Sequence, residues 1–450
     1  MAIKSHIKLI NMKPSRQFMK IAFYVPNKGL KKINFSTPFD GNPGSGAAEY
    51  LHVALPYYIR DDEFETYILA QEVTHMPANL KHIKCNSLRD AAILAKKNGI
   101  DIFVFRPRIH EESNILDLID ELQLLSIGRA ALTPSVKHQR KMARSNYFRA
   151  LVAVGSEQFD FMCDSPVAEK LTYIDNGISL SPCNEFANIQ KNKKLVTYMG
   201  AIVPQKGFHV LARVWPQVLE HHPDAYLRVI GSSKIYNENY DVGPLGVADE
   251  AYEREFIMPY LCNKKGELHP SVKLLGALGK EKYKHLSESI IAIPNPTGQT
   301  ETCCVSAIEM AACSTAVVTG AYYALLGTVK NNSTGLLGRG DKKLKDNICK
   351  LLNNPELAIS MGKNGRVLAE EIYDFNKVAI RWKMLFADVY NHSKIRSPRH
   401  QFNYLYYHRK WLRAINYIPA KIFNHLMNWP SIQKFEDLII NLAKKLKNLV

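Results

Sequence analysis

Residues 290–319, IIAIPNPTGQTETCCVSAIEMAACSTAVVT, contain the pattern that decides the fold. An apolar run predicts a strand, a loop follows, a helix ends near Cys313, and a further apolar run predicts a second strand. Glu301 lies in the loop and Glu309 lies inside the helix. The first amides of a helix lack backbone partners and favour anionic groups, and an ionised glutamate accepts hydrogen bonds from hydroxyls. The stretch therefore predicts a site for a sugar joined to a phosphate, although glutamates at helical spacing also occur on solvated faces.

A second stretch, residues 195–231, reads LVTYMGAIVPQKGFHVLARVWPQVLEHHPDAYLRVIG. Its pattern predicts a strand, a tight loop with Gly200, Lys206 and Gly207, an amphipathic helix and another strand. Lys206 lies where the loop becomes the helix, so its ammonium adds a point charge beside the helix amides. Most lysines are ordinary surface residues, but this position favours a role in anion binding.

Three motifs follow one another along the chain: GAIVPQKGF at 200–208, the pair Glu301 and Glu309, and NNSTGLL at 331–337. In this order they resemble the nucleotide-binding half of the retaining GT-B glycosyltransferases, and more narrowly the family-4, or group 1, type. The resemblance covers about residues 195–390. It implies an α/β chain with two doubly wound, Rossmann-like domains that face each other across a cleft.

Short apolar runs alternate with helical patterns along both halves of the chain, which favours parallel sheets covered on both faces. The charged segment 190–194 separates the two halves. The predicted organisation is an N-terminal leader at 1–18, an N-terminal domain on the acceptor side at 19–193, a C-terminal domain on the nucleotide-sugar side at 194–374, a closing helix at 375–390 and a basic, aromatic tail at 391–450.

The resemblance implies roles for individual positions of the cleft. Lys206 contacts the donor diphosphate and Glu301 approaches the donor sugar, which makes these two the candidate catalytic residues. Glu309 holds the ribose hydroxyls. The other donor-binding positions are the glycine after the strand, the amides at the helix start and an N-terminal loop: Gly200, Cys303, Cys304, Val305, Gly44, Ser45 and Gly46.

Three features depart from the family pattern, and one of them is the N-terminal loop, which reads Gly44-Ser45-Gly46 in place of paired glycines. Ala201 stands where many members have an arginine, which removes one cation from a site whose chemistry depends on charge stabilisation. Thr133 stands where a histidine often ends a strand of the N-terminal domain, and His138 is the nearest alternative, unless it is an ordinary residue at a helix start. The candidates to replace the arginine are Arg129, Arg140 and Arg339.

These features predict transfer of a hexose from a nucleoside diphosphate sugar to an acceptor hydroxyl, with the retention of anomeric configuration that the resemblance implies. The expected acceptor is a glycan or a lipid-linked sugar in the biosynthesis of cell-surface polysaccharide, lipopolysaccharide or glycolipid. Two alternatives stay open. One is a non-catalytic partner subunit, which Ala201 and Thr133 favour and the presence of Lys206, Glu301 and Glu309 disfavours. The other is a sugar-nucleotide epimerase.

The composition predicts neither a resident cofactor nor a metal site. The eight cysteines include no Cys-x-x-Cys spacing, the usual sign of a metal site or redox pair. In the family that the chain resembles, the diphosphate and its counter-charges carry the chemistry without a metal. The sequence contains no secretory signal and no run of about 18 apolar residues, so we expect a cytoplasmic protein.

The tail at 391–450 carries about half of the net charge of +17, because it has eleven Lys or Arg and two acidic residues. It also contains nine aromatic residues, and its last part places Phe435, Leu438 and Ile439 on one helical stripe. This combination predicts peripheral contact with an anionic membrane at its inner face. The alternative is that the stripe packs against the protein body. We recognise no nucleic-acid-binding module, so no nucleic-acid partner is predicted.

Overall fold

The computed structural model describes residues 18–400 apart from 31, 108–113, 236–239 and 300, and further along the chain 413, 415–420, 422, 431–435 and 438–439. Almost all of the predicted leader and most of the predicted tail lie outside the described residues. Within the described ranges, every helix is too short or too polar to cross a bilayer.

Strands and helices alternate through the described part of the first half of the chain. The strands are β1 Met19–Val25, β2 Phe64–Ala70, β3 Lys81–Lys84, β4 Ile102–Phe105, β5 Ser126–Ala130, β6 Phe148–Ala153 and β7 Leu171–Tyr173. The helices are α1 Ala47–Ile59, α2 Leu88–Lys97, α3 Ile115–Glu121, α4 Val136–Arg144, α5 Ser156–Phe161 and α6 Ser181–Glu185. The strands form one parallel sheet in the order β3-β2-β1-β4-β5-β6-β7.

The second half repeats this alternation. Its strands are β8 Asn192–Met199, β9 Tyr226–Ile230, β10 Val272–Leu274, β11 Ser289–Ile293, β12 Ala316–Gly320 and β13 Gly335–Gly338. Its helices are α7 Phe208–His221, α8 Glu250–Phe256, α9 Met258–Leu261, α10 Lys282–Glu288, α11 Val305–Ala312, α12 Leu325–Thr328, α13 Gly340–Asn353, α14 Pro355–Leu368 and α15 Phe375–Tyr390. The sheet is again parallel, in the order β10-β9-β8-β11-β12-β13. The prediction of an α/β chain with two doubly wound parallel sheets is confirmed.

The central strands are apolar along their whole length. Every residue of β4 and of β11 is buried, as expected for parallel strands with helices on both faces. The edge strand β3 is different: its sequence is KHIK and both lysines are exposed. Because it contains no apolar run, the sequence pattern does not predict it.

The junction between the halves lies slightly earlier than the charge pattern suggests. Strand β8 begins at Asn192, so the predicted boundary between 193 and 194 falls inside a strand. The first two residues of β8 are exposed, whereas its last five are buried. Charged residues therefore mark the solvated start of a strand here as well as a linker.

The closing helix α15 returns to the first sheet. Trp382 and Phe386 lie with their ring centroids 6.4 and 6.3 Å from that of Phe23 in β1, and all three side chains are buried. The chain therefore crosses between the domains twice. The two crossings meet where the amide of Ile178 donates to the carbonyl of Tyr373 (2.8 Å) and the amide of Phe375 donates to the carbonyl of Ile178 (3.1 Å).

The described part of the tail contacts the first domain through polar groups and through the buried side chain of Ile395. Asp164 accepts hydrogen bonds from the Asn416 side chain (2.9 Å) and from the Ile432 amide (2.7 Å). Apolar side chains of the same segments remain more than half exposed: Ile415, Ile418, Ile422, Phe435, Leu438 and Ile439. The described residues of the predicted stripe therefore do not pack against the protein body.

Candidate functional site

A cleft of about 150 Å³ lies between the two domains, at the carboxyl ends of the strands, which is where parallel α/β sheets bind ligands. The N-terminal domain contributes the loop before α1, and the C-terminal domain contributes the loops after β8, β9 and β11 and the start of α11. Ten of the positions chosen from the sequence line this cleft: Gly44, Ser45, Gly46, Gly200, Ala201, Lys206, Glu301, Cys303, Val305 and Glu309.

Two of the chosen positions do not contribute side chains to the cleft lining. The thiol of Cys304 is buried and lies 3.4 Å from the hydroxyl of Ser306, and burial raises the pKa of the Cys304 thiol to about 12. His138 lies in α4, with its Nδ1 3.0 Å from the Ser135 hydroxyl. The interpretation of His138 as an ordinary residue near a helix start is the one that this position supports.

Lys206 and Glu301 form an ion pair in the cleft. Lys206 ends a short 3₁₀ turn before α7, and the turn closes at Gly207, whose φ of +69° favours glycine. The Nζ of Lys206 is 2.6 Å from Oε1 of Glu301, a side chain that is only 8% exposed. The side-chain amide of Asn295 donates to the same oxygen (3.1 Å). Glu301 is therefore held in place by one cation and one amide.

Glu309 forms a second and more deeply buried pair. Its Oε1 lies 2.8 Å from Nζ of Lys282, and the two side chains are 7% and 5% exposed. The same oxygen accepts a hydrogen bond from the Tyr283 hydroxyl (2.7 Å). Burial and the neighbouring carboxylate raise the pKa of Tyr283 well above its usual value, so the phenol stays protonated and donates.

The N-terminal loop is shaped by Asn42. Its side-chain oxygen accepts from the amides of Gly44 (3.0 Å) and Ser45 (2.9 Å). Gly44 has a φ of +95°, and a Cβ atom there would lie 3.2 Å from the carbonyl of Leu278 in the other domain. Lys282 also reaches across the cleft and donates to the backbone carbonyl of Asn42 (3.1 Å). One lysine thus links the Glu309 site to the opposite domain.

The cation missing at Ala201 is not supplied by the three arginines that the sequence suggested. Arg129 is buried and donates to the side chain of Asn176, and burial lowers the pKa of Arg129 to about 9. The guanidinium of Arg339 lies over the ring of Tyr322, and Arg140 lines a different cavity. Among the described residues that line the cleft, the second cation beside Lys206 is Lys282.

The arrangement suits an anionic ligand with hydroxyl groups. Lys206 and Lys282 supply positive charge, the start of α11 supplies backbone amides, and the two glutamates supply acceptors. Burial raises the pKa of the Cys303 thiol well above its usual value, so Cys303 does not supply a thiolate. In the described part of the chain, no three His, Cys, Asp or Glu side chains are grouped so that they could hold a metal ion.

Four residues of the site were missed by the sequence analysis. Asn42 and Asn295 precede turn residues in NPGS and NPTG, a signal for an asparagine that caps its own turn. Lys282 and Tyr283 lie in an ordinary helix, and no local pattern distinguishes them. Their importance arises only because the fold brings α10 against α11 and the N-terminal loop.

Comparison with known sequences finds a family match in the second half of the chain. The sequence model of the family described as glycosyl transferases group 1 matches residues 184–368. A protein described as an uncharacterized glycosyltransferase of Haemophilus influenzae is 25% identical over 215 residues, which are 47% of this chain and 53% of that protein. The alignment thus spans about half the length of this relative.

Comparison with solved structures concerns the whole fold. Sucrose-phosphate synthase from Thermosynechococcus elongatus superposes with a TM-score of 0.62 at 15% identity, over 83% of this chain and 100% of that one. Anabaena HepE in complex with UDP and glucose superposes with a TM-score of 0.55 at 13% identity, over 81% of this chain and 98% of that one. At these identities the likeness is one of fold, and the predicted GT-B architecture is confirmed.

Proposed function

From the match of residues 184–368 to the group 1 glycosyl transferases, we propose that the chain transfers a hexose from a nucleoside diphosphate sugar to an acceptor hydroxyl. The observation that carries the proposal is the presence of two lysine–glutamate pairs, Lys206 with Glu301 and Lys282 with Glu309, in one cleft at the start of α11.

In this proposal the donor lies along the cleft with its diphosphate at Lys206 and at the first amides of α11. Glu309 accepts the ribose hydroxyls through the carboxylate oxygen that does not bind Lys282 and Tyr283. Glu301 accepts hydroxyls of the donor sugar, and Asn295 keeps its carboxylate in position. The loop of Gly44, Ser45 and Gly46 approaches the phosphates from the acceptor side.

The chemistry follows from where charge develops. The bond between the anomeric carbon and the diphosphate oxygen breaks, a bond to the acceptor oxygen forms, and the acceptor hydroxyl loses its proton. Negative charge accumulates on the departing diphosphate, where Lys206 and the helix amides stabilise it. We expect retention of anomeric configuration, no resident cofactor and no requirement for a metal, so a chelator of divalent ions should leave turnover unchanged.

The proposal extends to the donor base and the acceptor. Anabaena HepE has been crystallised with UDP, glucose and UDP-glucose, which makes uridine diphosphate sugars the first donors to test. We propose a glycan or lipid-linked acceptor in cell-surface polysaccharide, lipopolysaccharide or glycolipid biosynthesis, with the tail at 391–450 on the anionic inner face of a membrane.

A panel of nucleoside diphosphate sugars tests the proposal, with thermal stability and release of nucleoside diphosphate as the two measurements. A donor at 100 times its dissociation constant stabilises a protein by about 2.7 kcal/mol. We expect one donor to stabilise the chain and to be turned over, and Lys206→Gln to abolish turnover. Lys193→Gln is the matched control, because Lys193 pairs with Glu356 outside the cleft and both side chains are exposed.

A second outcome would favour the partner-subunit alternative. The specific observation behind it is neutral Ala201, which lines the cleft. If no donor binds or is turned over while the chain remains folded, the transferase proposal is wrong and the subunit interpretation replaces it. Conversion of the nucleotide sugar to its epimer without an acceptor would instead indicate an epimerase.

A further inference from the structure

A second cavity, of about 1190 Å³, lies on the first domain away from the cleft. Its walls are α4, the start of β6, the segment 166–171, the segment 393–400 and Tyr417. Arg149 is the second residue of β6, so the cavity lies at the amino ends of strands whose carboxyl ends face the cleft. A strand of six residues spans roughly 20 Å, which separates this cavity from the proposed reaction.

The lining of this cavity is strongly basic. It contains one carboxylate, Glu169, and one histidine, His400, whose Nδ1 lies 2.9 Å from Asp160. The remaining charged side chains in the lining are cations: Arg140, Arg144, Arg149, Lys170, Lys394 and Arg399. We call this site the basic cavity.

Within the described residues none of these six cations forms an ion pair, although the charge of Asp120 favours the protonated form of Lys170. Among the described residues, no carboxylate lies within 4.0 Å of any of the six. The Nε atoms of Arg140 and Arg149 are buried without a hydrogen-bond partner in the described structure. Lys170 donates to the carbonyls of Met142 and Ser145, so backbone oxygens hold it without neutralising it.

Such a cluster is unfavourable unless an anion completes it. Burial disfavours the charged forms of the partly buried Arg140, Arg149 and Lys170, and neighbouring like charges add to that effect. In agreement, burial and the neighbouring Arg149 lower the pKa of Lys170 to about 8. Guanidinium groups recognise phosphate through paired hydrogen bonds, and the unpartnered Nε atoms belong to two guanidinium groups.

We propose that the basic cavity binds a phosphate-bearing ligand, with Arg140 and Arg149 donating to the phosphate oxygens. Its volume exceeds that of most small-molecule pockets, which measure about 300 to 1,000 Å³, so it admits more than one phosphate group. The proposal is independent of the transferase reaction, and failure of the donor panel leaves it intact.

The neighbouring surface indicates where the phosphate comes from. Tyr417 lines the cavity, and Ile415, Ile418 and Ile422 of the same segment are exposed. Exposed apolar side chains beside a cluster of cations are typical of a segment at an anionic membrane. A phospholipid headgroup is therefore the first source to test, and a soluble phosphate ester is the second.

Titration calorimetry with inorganic pyrophosphate tests the site in the full chain. We expect Arg140→Gln/Arg149→Gln to weaken binding at least about tenfold. Lys84→Gln/Lys97→Gln removes the same charge from exposed positions of the first domain and should change binding less than about twofold. Unchanged binding in the arginine variant, or equal weakening in both variants, would overturn the proposal.

Two further variants keep this test decisive. Lys206→Gln removes a cation from the cleft and so reveals any pyrophosphate that binds there. Loss of all pyrophosphate binding in that variant alone would contradict the proposal. Arg144→Gln/Arg399→Gln removes two exposed cations at the rim, where folding is not at risk, and should weaken binding about threefold. If the Arg140→Gln/Arg149→Gln variant does not fold, the Arg144→Gln/Arg399→Gln variant is the test. Unchanged pyrophosphate binding in that variant would overturn the proposal.

Vesicle sedimentation distinguishes the two sources. We expect the chain to bind vesicles of equimolar phosphatidylglycerol and phosphatidylcholine but not vesicles of phosphatidylcholine alone, and pyrophosphate to compete. Pyrophosphate binding at the arginines without vesicle binding assigns the site to a soluble phosphate ester. If neither probe depends on Arg140 and Arg149, the basic cavity is not a phosphate site.

Discussion

The cleft and the basic cavity both concentrate positive charge, but they balance it differently. In the cleft each lysine has a glutamate within 2.8 Å. In the basic cavity no described carboxylate pairs with any of the six cations. In the cleft the protein itself therefore neutralises both lysines, and a ligand has to compete with the two glutamates for them. The second site is left for a ligand to complete.

The largest expected effect is on the buried pair of the cleft. Lys282→Met leaves Glu309 buried without its cation, which should lower the free energy of unfolding by about 3 to 5 kcal/mol. Urea denaturation measures it. The matched control is Lys193→Met, whose pair with Glu356 is exposed and should contribute less than about 1 kcal/mol. Equal and small losses of stability in both variants would contradict the burial of the Lys282–Glu309 pair that the structure indicates.

A second prediction separates the two glutamates by kinetics. Glu301→Gln should lower kcat about a hundredfold with little change in the donor KM, because the proposed contact to the donor sugar matters most as charge develops. Glu309→Gln should mainly raise the donor KM, because ribose binding is equal in the ground and transition states. Steady-state kinetics with the donor found in the panel measures both. The reverse pattern would exchange the two assignments.

A third prediction uses pH to contrast two buried lysines. Lys170 in the basic cavity and Lys191 near Thr315 each have a pKa lowered to about 8 by burial. Between pH 8 and 10.5 the folded chain has released these protons while the unfolded chain still holds them, so each lysine makes the fold more stable as pH rises. Replacement by Met should remove that slope, as urea denaturation at several pH values would show.

Pyrophosphate should change the pH dependence contributed by Lys170 but not that contributed by Lys191. An anion in the basic cavity favours the charged form of Lys170, so the slope contributed by Lys170 should shift to higher pH while that of Lys191 stays the same. An equal response of the two lysines would mean that pyrophosphate does not bind beside Lys170.

The smallest expected effect is a gain in stability. Arg149→Gln removes one of the like charges that line the basic cavity, which should raise the free energy of unfolding by about 0.5 kcal/mol at low salt. High salt screens the repulsion and should abolish the gain. A loss of stability at low salt would indicate that the arginine stem contributes more by packing than its charge costs.

The sequence predicted what depends on local patterns. Buried parallel strands such as β11 are continuous apolar runs. The loop before α7 can be recognised from the glycine of Lys206-Gly207. These signals were enough for the two sheets, and the resemblance to the group 1 glycosyltransferases added most of the ten cleft positions. Cys304 was chosen for its backbone amide at the start of α11, and its buried thiol plays no part in that prediction.

What the sequence did not predict depends on distant segments meeting. Lys282 becomes part of the cleft only because α10 packs beside Glu309 and reaches Asn42, 240 residues earlier in the chain. Arg140 and Arg149 form the basic cavity only together with the segment 393–400. No single stretch of sequence contains these contacts, and Arg140, one of three candidates to replace the cation missing at Ala201, lines the basic cavity instead.

The two crossings between the domains have a mechanical consequence. They lie side by side at Ile178, Tyr373 and Phe375, and a Cβ atom on Gly177 would lie 2.3 Å from the ring of Phe375. Two adjacent connections form a hinge, which opposes sliding and twisting of one domain against the other but allows rotation about one axis. A cleft of about 150 Å³ can then widen for a nucleotide sugar by a swing about that axis, with both sheets intact.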